Sequence, residues 1–199
     1  MPRPVVFRGP WPEIRIPESS LTSYVFEGVQ SRISRTALID GVTERVVTYG
    51  ELYRDIRKFA RGLSDRGFRK GDVLAIYCPN VLEYPVAFHG AALLGGIATT
   101  INPLYTPAEL ERQLKDANAK FLITTKTFLA NAREGSRGTS VEEIFVLGDN
   151  EGATPYAALL ANDGNPPEVK IDAANDIVAL PYSSGTTGLQ KGVMLTHRN

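Results

Sequence analysis

The side chains best suited to chemistry are gathered in one ten-residue stretch, Ser183-Ser184-Gly185-Thr186-Thr187-Gly188-Leu189-Gln190-Lys191-Gly192. Ser183, Ser184, Thr186 and Thr187 bring hydroxyls, and the N–H groups between them add neutral donors. Lys191 supplies one mobile positive charge. Glycines at 185, 188 and 192 let the backbone take positive φ and approach a ligand with no Cβ in the way. A surface rich in donors and poor in acceptors suits phosphate oxygens, so the chemistry on offer is the gripping of a polyphosphate. The stretch is not the Walker loop G-x-x-x-x-G-K-[ST]. Counted from Gly185, the second glycine would fall on Gln190, and Gly192 follows Lys191 where Ser or Thr should stand. Read instead as a flexible Ser/Gly/Thr connector, it would leave a lysine set between two apolar runs without a reason.

Those runs are the elements that must hold the loop. Ile177-Val178-Ala179-Leu180 precedes it and Val193-Met194-Leu195 comes after it, which predicts strand–loop–strand. Upstream, residues 1–20 carry prolines at 2, 4, 10, 12 and 17 and are expected to be extended. Ser20 or Thr22 should cap a helix whose apolar side is Tyr24, Val25, Val29 and Ile33. A hairpin is expected from Ala37–Gly41 and Arg45–Thr48. Thr48-Tyr49-Gly50-Glu51 reads as a capping box that opens a helix lined by Leu52, Ile56, Phe59, Ala60 and Leu63 and stopped at Gly67.

Then come a buried strand at Asp72–Cys78, a helix at Glu83–Leu94 covered on both faces, and a strand at Ile97–Ile101. Thr106-Pro107-Ala108-Glu109 repeats the capping box, with Leu110, Leu114 and Ala117 as the inner stripe. Strands at Phe121–Thr124 and Ile144–Leu147 flank a short helix at Thr127–Ala132. This alternation predicts an α/β fold, a parallel sheet with covering helices. The chain divides into an extended segment 1–20, an α/β subdomain 21–147 and a loop-rich connection 148–175 with one short helix opened by Thr154-Pro155. Residues 176–199 are expected to begin the next sheet, and to be truncated.

Length and composition bound the rest. The 199 residues and 43% hydrophobic content suffice for one sizeable mixed core. Lys+Arg and Asp+Glu both number 22, which argues against a nucleic-acid surface. The basic stretch Arg54–Lys70 is interleaved with Asp55 and Asp65 and reads as a solvated helix face. A single cysteine, Cys78, excludes an internal disulfide and fits a reducing compartment. His89 and His197 are the only histidines, too few for a histidine-based metal site, and His89 reads as a core residue making one hydrogen bond. The longest apolar stretch, Pro85–Ala98, is too short to span a bilayer. The expected strand 193–196 would have just ended where the sequence stops at Asn199, from which the amino-terminal piece of a longer enzyme is expected.

The loop resembles the phosphate-binding signature of the adenylate-forming (AMP-binding) superfamily, S-S-G-T-T-G-x-P-K-G-V, with Gln190 in place of the usual proline. Its flanks Leu180-Pro181-Tyr182 and Met194-Leu195-Thr196-His197 are similar to those of the acyl-CoA synthetase branch. Ser23-Tyr24-Val25-Phe26-Glu27, Ala37-Leu38-Ile39-Asp40-Gly41, Gly71-Asp72-Val73, Pro79-Asn80 and the run Ala98–Glu109 resemble 4-coumarate–CoA ligases. The likeness extends over nearly the whole chain.

The resemblance implies the amino-terminal portion of the large domain of such a ligase. Ser183, Ser184, Gly185, Thr186, Thr187 and Lys191 then occupy the family's ATP phosphate-contacting positions. ATP, Mg²⁺ and coenzyme A are the implied cofactor and co-substrates, and a hydroxycinnamate-like carboxylic acid the implied substrate. No catalytic or metal-binding residue is assigned, and residues 1–199 alone are expected to lack ligase activity. The implied location is cytoplasmic, with the peroxisome left open. A fatty acyl-CoA synthetase, a luciferase-like relative and a non-catalytic nucleotide-binding module remain as alternatives.

Overall fold

Every residue of the strand Val73–Tyr77 (β3) is buried, and its side chains point alternately to two different cores. Leu74 and Ile76 pack among Ile56, Phe59 and Leu63 of the helix Tyr49–Asp65 (α2) and Val86, Ala87 and Ala91 of the helix Tyr84–Leu93 (α3). Val73, Ala75 and Tyr77 face Leu110 and Leu114 of the helix Pro107–Asp116 (α4) and Ala132 of the helix Leu129–Gly135 (α5). A continuous apolar run was therefore to be expected here, since neither face meets water. Burial of each Phe, Leu or Ile contributes roughly 1.5–3 kcal/mol. The computed structural model describes residues 9–12, 14–148, 152–184 and 190–199, with the backbone only of Ser184.

Around β3 the order of strands explains which helix lies on which face. The strand Ile97–Thr100 (β4) pairs in parallel on one side of β3, and Ala119–Thr125 (β5) in parallel on the other. Glu143–Leu147 (β6) then extends the sheet beyond β5. Progress is leftward through α3 and rightward through α4 and α5. Right-handed crossovers running in opposite directions put their helices on opposite faces, as seen here.

Both capping boxes form. Thr48 accepts from the N–H of Glu51, whose carboxylate takes the Thr48 N–H, and Thr106 and Glu109 do the same. Both carboxyls are held below their usual range, first by the backbone hydrogen bond each accepts. Lys120 Nζ donates to Gly67 O at 2.7 Å and Asp72 Oδ2 at 2.8 Å, tying the turn after α2 to the sheet.

Two expectations need correcting. The helix capped by Ser20 (α1, Leu21–Val25) ends early, and Gly28 in the left-handed region starts a separate 3₁₀ turn, Val29–Arg32. Thr22, Phe26 and Val29 therefore face inward, while Tyr24, Val25 and Ile33 are exposed. Thr154–Pro155 (β7) is a short parallel strand beside β6, and the turn after it, Tyr156–Leu159, is 3₁₀. Residues 176–199 contribute both to the main sheet and to a separate two-stranded pair. Ile177–Ala179 (β8) and Leu195–Thr196 (β11) join the β4 edge, and the described residues form one seven-stranded sheet in the order β11-β8-β4-β3-β5-β6-β7, only β11 being antiparallel. The hairpin of Thr36–Ile39 (β1) and Val46–Thr48 (β2) stands as a separate two-stranded ribbon.

Candidate functional site

The chain leaves the sheet where β8 meets Leu180-Pro181. Leu180 N donates to Ala98 O at 2.9 Å, and Thr99 Oγ1 donates to Leu180 O at 2.8 Å. Pro181 has no N–H to continue a ladder, so the strand turns out of the sheet. Beyond Pro181 the chain forms a ribbon of its own, Tyr182–Ser184 (β9) against Gln190–Gly192 (β10), paired Tyr182↔Gly192, Ser183↔Lys191 and Ser184↔Gln190. Val193 N closes its base on Pro181 O at 2.8 Å, and β11 returns to the sheet edge. The expected strand–loop–strand is thus four short strands, two in the sheet and two in the excursion.

Of the six candidate residues, Ser183 and Lys191 are cross-strand partners, and both are exposed. Ser184 contributes its backbone to β9. Gly185, Thr186 and Thr187 lie outside the described residues. In an antiparallel pair successive side chains alternate sides, so Ser183 and Lys191 share one face, and Tyr182, Gln190 and Gly192 the other. That second face is turned onto the body of the protein. Tyr182 Oη donates to Asp116 Oδ2 at 2.5 Å, and Tyr105 Oη donates to Gln190 Oε1. Burial raises the Tyr182 phenol above its usual range, and the Asp116 carboxylate adds to the effect, so Tyr182 stays a donor. Gly192 gives the Tyr182 ring its place: a Cβ there would sit 3.1 Å from Tyr182 Cζ and 3.2 Å from Leu180 Cδ1.

The hairpin overhangs the carboxyl ends of β3 and β4, where open α/β sheets bind their ligands. A cleft of about 510 Å³ lies there, lined among others by Asn80, Tyr84, Asn102, Tyr105, Gln113 and Tyr182. Gln113 is 4% exposed; its Nε2 donates to Thr99 Oγ1 at 3.0 Å and Thr100 O at 3.1 Å. Thr99 in turn holds Leu180, so α4 is linked through two side chains to the point where the chain leaves the sheet. The approach to β8 is pinned by Lys70, whose Nζ lies 2.5 Å from Asp176 Oδ2, and that bond is the main cause of the lowered Asp176 pKa. Beyond β11, His197 Nδ1 accepts from Leu21 N at 3.0 Å, which joins the ribbon's exit to α1.

Cys78 also borders the cleft, but burial, with Glu83 adding, pushes its thiol up to about 12, so it is no thiolate at neutral pH. Among the described residues no cluster of three or more His, Cys, Asp or Glu could hold a metal ion, and no helix is long and apolar enough to cross a membrane. Sequence reasoning missed Tyr105, Asp116 and Gln113. Tyr105 carried a usable signal, an aromatic residue with a polar tip in the loop after a parallel strand and directly before a capping box.

Residues 25–199 match the family described as AMP-binding enzyme. The chain belongs to that family. It is 43% identical over 200 residues to 4-coumarate–CoA ligase 5 of Oryza sativa subsp. japonica, covering 100% of this chain and 36% of the relative. It is likewise 43% identical over 196 residues to 4-coumarate–CoA ligase 2 of Solanum tuberosum, with coverage of 98% and 36%. The chain therefore spans little more than a third of the length of these relatives. Among solved structures, a long-chain-fatty-acid–CoA ligase from Archaeoglobus fulgidus superposes with a TM-score of 0.85 at 26% identity, covering 96% of this chain and 39% of that one. An anthranilate CoA ligase in complex with anthranoyl-AMP gives 0.82 at 26% identity, covering 93% and 36%. The fold is that of the adenylate-forming enzymes, a mostly parallel α/β sheet with helices on both faces.

Proposed function

We propose that this chain is the phosphate-gripping part of an ATP-dependent acid–CoA ligase of the 4-coumarate–CoA ligase type. The observation that carries the reading is Ser183 paired with Lys191 on the outward face of a hairpin overhanging the carboxyl ends of the sheet, in a chain of the AMP-binding enzyme family. The reaction proposed has two steps. A carboxylate oxygen attacks the α-phosphorus of ATP and expels pyrophosphate, and the thiol of coenzyme A then displaces AMP from the acyl-adenylate.

The first step gathers negative charge. An anion approaches a polyanion, and more charge develops on the leaving pyrophosphate. Donors aimed at the outer phosphates stabilise that charge. Lys191 meets it with an ammonium and Ser183 with a hydroxyl. We assign Ser184, Gly185, Thr186 and Thr187 to the same task. Mg²⁺ enters as the counter-ion that the triphosphate brings with it, and the described residues offer no cage for it. A hydroxycinnamate-like acid as substrate is supported by the names of the rice and potato relatives, both 4-coumarate–CoA ligases.

ATP–pyrophosphate exchange tests the reading. The complete ligase should exchange label in the presence of a hydroxycinnamate, and residues 1–199 alone should not. Exchange that ignores the acid would sink the ligase assignment and favour a plain nucleotide-binding module.

A further inference from the structure

Among the described residues, no strand of the main sheet pairs with the β9–β10 ribbon. It is a separate two-stranded pair; among the described residues its backbone meets the sheet at Leu180, whose N–H donates to Ala98 O, while Val193 N closes the ribbon's own base on Pro181 O. A lone ribbon of this kind is marginal in water and free to pivot about its base. Its orientation matters, because Ser183 and Lys191 share the face opposite Tyr182 and Gln190. Whatever fixes the second face aims the first.

Two phenols fix it. Tyr182 belongs to the ribbon and reaches Asp116 near its base. Tyr105 belongs to the body and reaches Gln190, one residue before Lys191 and at the far end of β10. Tyr105 is itself firmly mounted. The fully buried Tyr77 of β3 donates its hydroxyl to Tyr105 O at 2.9 Å, Tyr105 N donates to Asn102 O at 3.1 Å, and the next residue caps α4. A rigid path therefore runs from the central strand through Tyr105 to the strand that carries Lys191. It requires an acceptor at position 190, which Gln190 has and a proline would not.

We propose that Tyr105 is a positioning residue for Ser183 and Lys191, acting through its hydrogen bond to Gln190, so that in this chain a side-chain tether does the stiffening that a proline ring would otherwise do. The proposal rests on the ligase reading for its consequence in catalysis, while the tether itself stands on the structure. Loss of one such bond corresponds to about three- to tenfold in an equilibrium.

The test is a double-mutant cycle on Tyr105→Phe and Gln190→Met, read in two ways. In the 199-residue chain, hydrogen exchange at the amides of 182–184 and 190–192 should rise about three- to tenfold in each single variant. The double variant should rise no further than either single one, and the thermal midpoint should stay within about 2 °C because the bond lies at the surface. In the complete ligase, the KM for ATP in adenylate formation should rise about three- to tenfold, and the thiol step should not change. Unchanged exchange, or effects that simply add, overturns the tether. Raised exchange with an unchanged KM for ATP overturns the positioning role. A wild-type ligase with no acid-dependent exchange of pyrophosphate removes the ligase reading instead, and hydrogen exchange then decides the tether alone.

Discussion

Tyr182 and Asp116, 66 residues apart, meet through a hydrogen bond of 2.5 Å that joins the base of the β9–β10 hairpin to the carboxyl end of α4. Asp116 is exposed and Tyr182 half-buried, so the bond sits at a boundary where water competes for both groups. Tyr182→Phe is expected to destabilise the chain by about 1 kcal/mol. Combined with Asp116→Ala it should cost little more than either change alone. Urea midpoints of the four proteins measure this, and additivity would show the two side chains to be independent.

Lys191 lies on the outward face with Ser183 and is expected to act on the charge of the leaving group rather than on the thiol. Lys191→Ala in the complete ligase should slow adenylate formation about ten- to a hundredfold and leave thioester formation from preformed adenylate nearly unchanged. Single-turnover measurement of each half-reaction decides it. Equal slowing of both would assign Lys191 a general structural role.

His89 gives the fold a pH dependence of definite sign. Its Nδ1 lies 3.1 Å from Thr22 Oγ1 between the rings of Phe26 and Phe88, and burial lowers its pKa from 6.5 to about 4. Well above pH 6.5 the imidazole is neutral in both folded and unfolded chains, so no proton is taken up on unfolding. As the pH falls from there toward 4, only the unfolded chain binds the proton, and stability drops. The loss is expected to be about 2 kcal/mol between about pH 7.5 and about pH 5. His197, also lowered by burial, pulls in the same direction. The difference between wild type and His89→Gln in denaturant midpoints across that range isolates the His89 share, and parallel curves would refute it.

Gly62 is the point of closest approach inside α2. A Cβ there would stand 2.2 Å from Leu159 O and 2.7 Å from Leu159 Cα, both backbone atoms that cannot rotate away. In an open helix, glycine to alanine would stabilise by about 1 kcal/mol. Here Gly62→Ala is expected to destabilise by roughly 1–3 kcal/mol, because the Tyr156–Leu159 turn must be pushed off the helix. A raised melting temperature would contradict the packing.

Sequence alone was sufficient wherever the deciding interaction is local. Thr48 with Glu51 and Thr106 with Glu109 are three residues apart, and the β–α alternation arises from periodicities of two and 3.6 within single segments. The donors and glycines from Ser183 to Lys191 can likewise be read off one short stretch, while their role in gripping phosphate stands as proposed. Burial of an isolated turn is another matter. Of the expected helical stripe Tyr24, Val25, Val29 and Ile33, only Val29 is buried; the short α1 turns Thr22 and Phe26 inward, and Gly28 starts a separate turn.

Tertiary structure decided everything that depends on partners far apart in the chain. Nothing in the two apolar runs that flank the β9–β10 hairpin says that Ala179 will pair with Ala98. Gln190 stands where the resembling signature has proline, and only the fold brings Tyr105, 85 residues earlier, within reach of it. Local chemistry tells which atoms can hold a phosphate. Which way those atoms face is a property of contacts between distant residues, and these exist only once the sheet has formed.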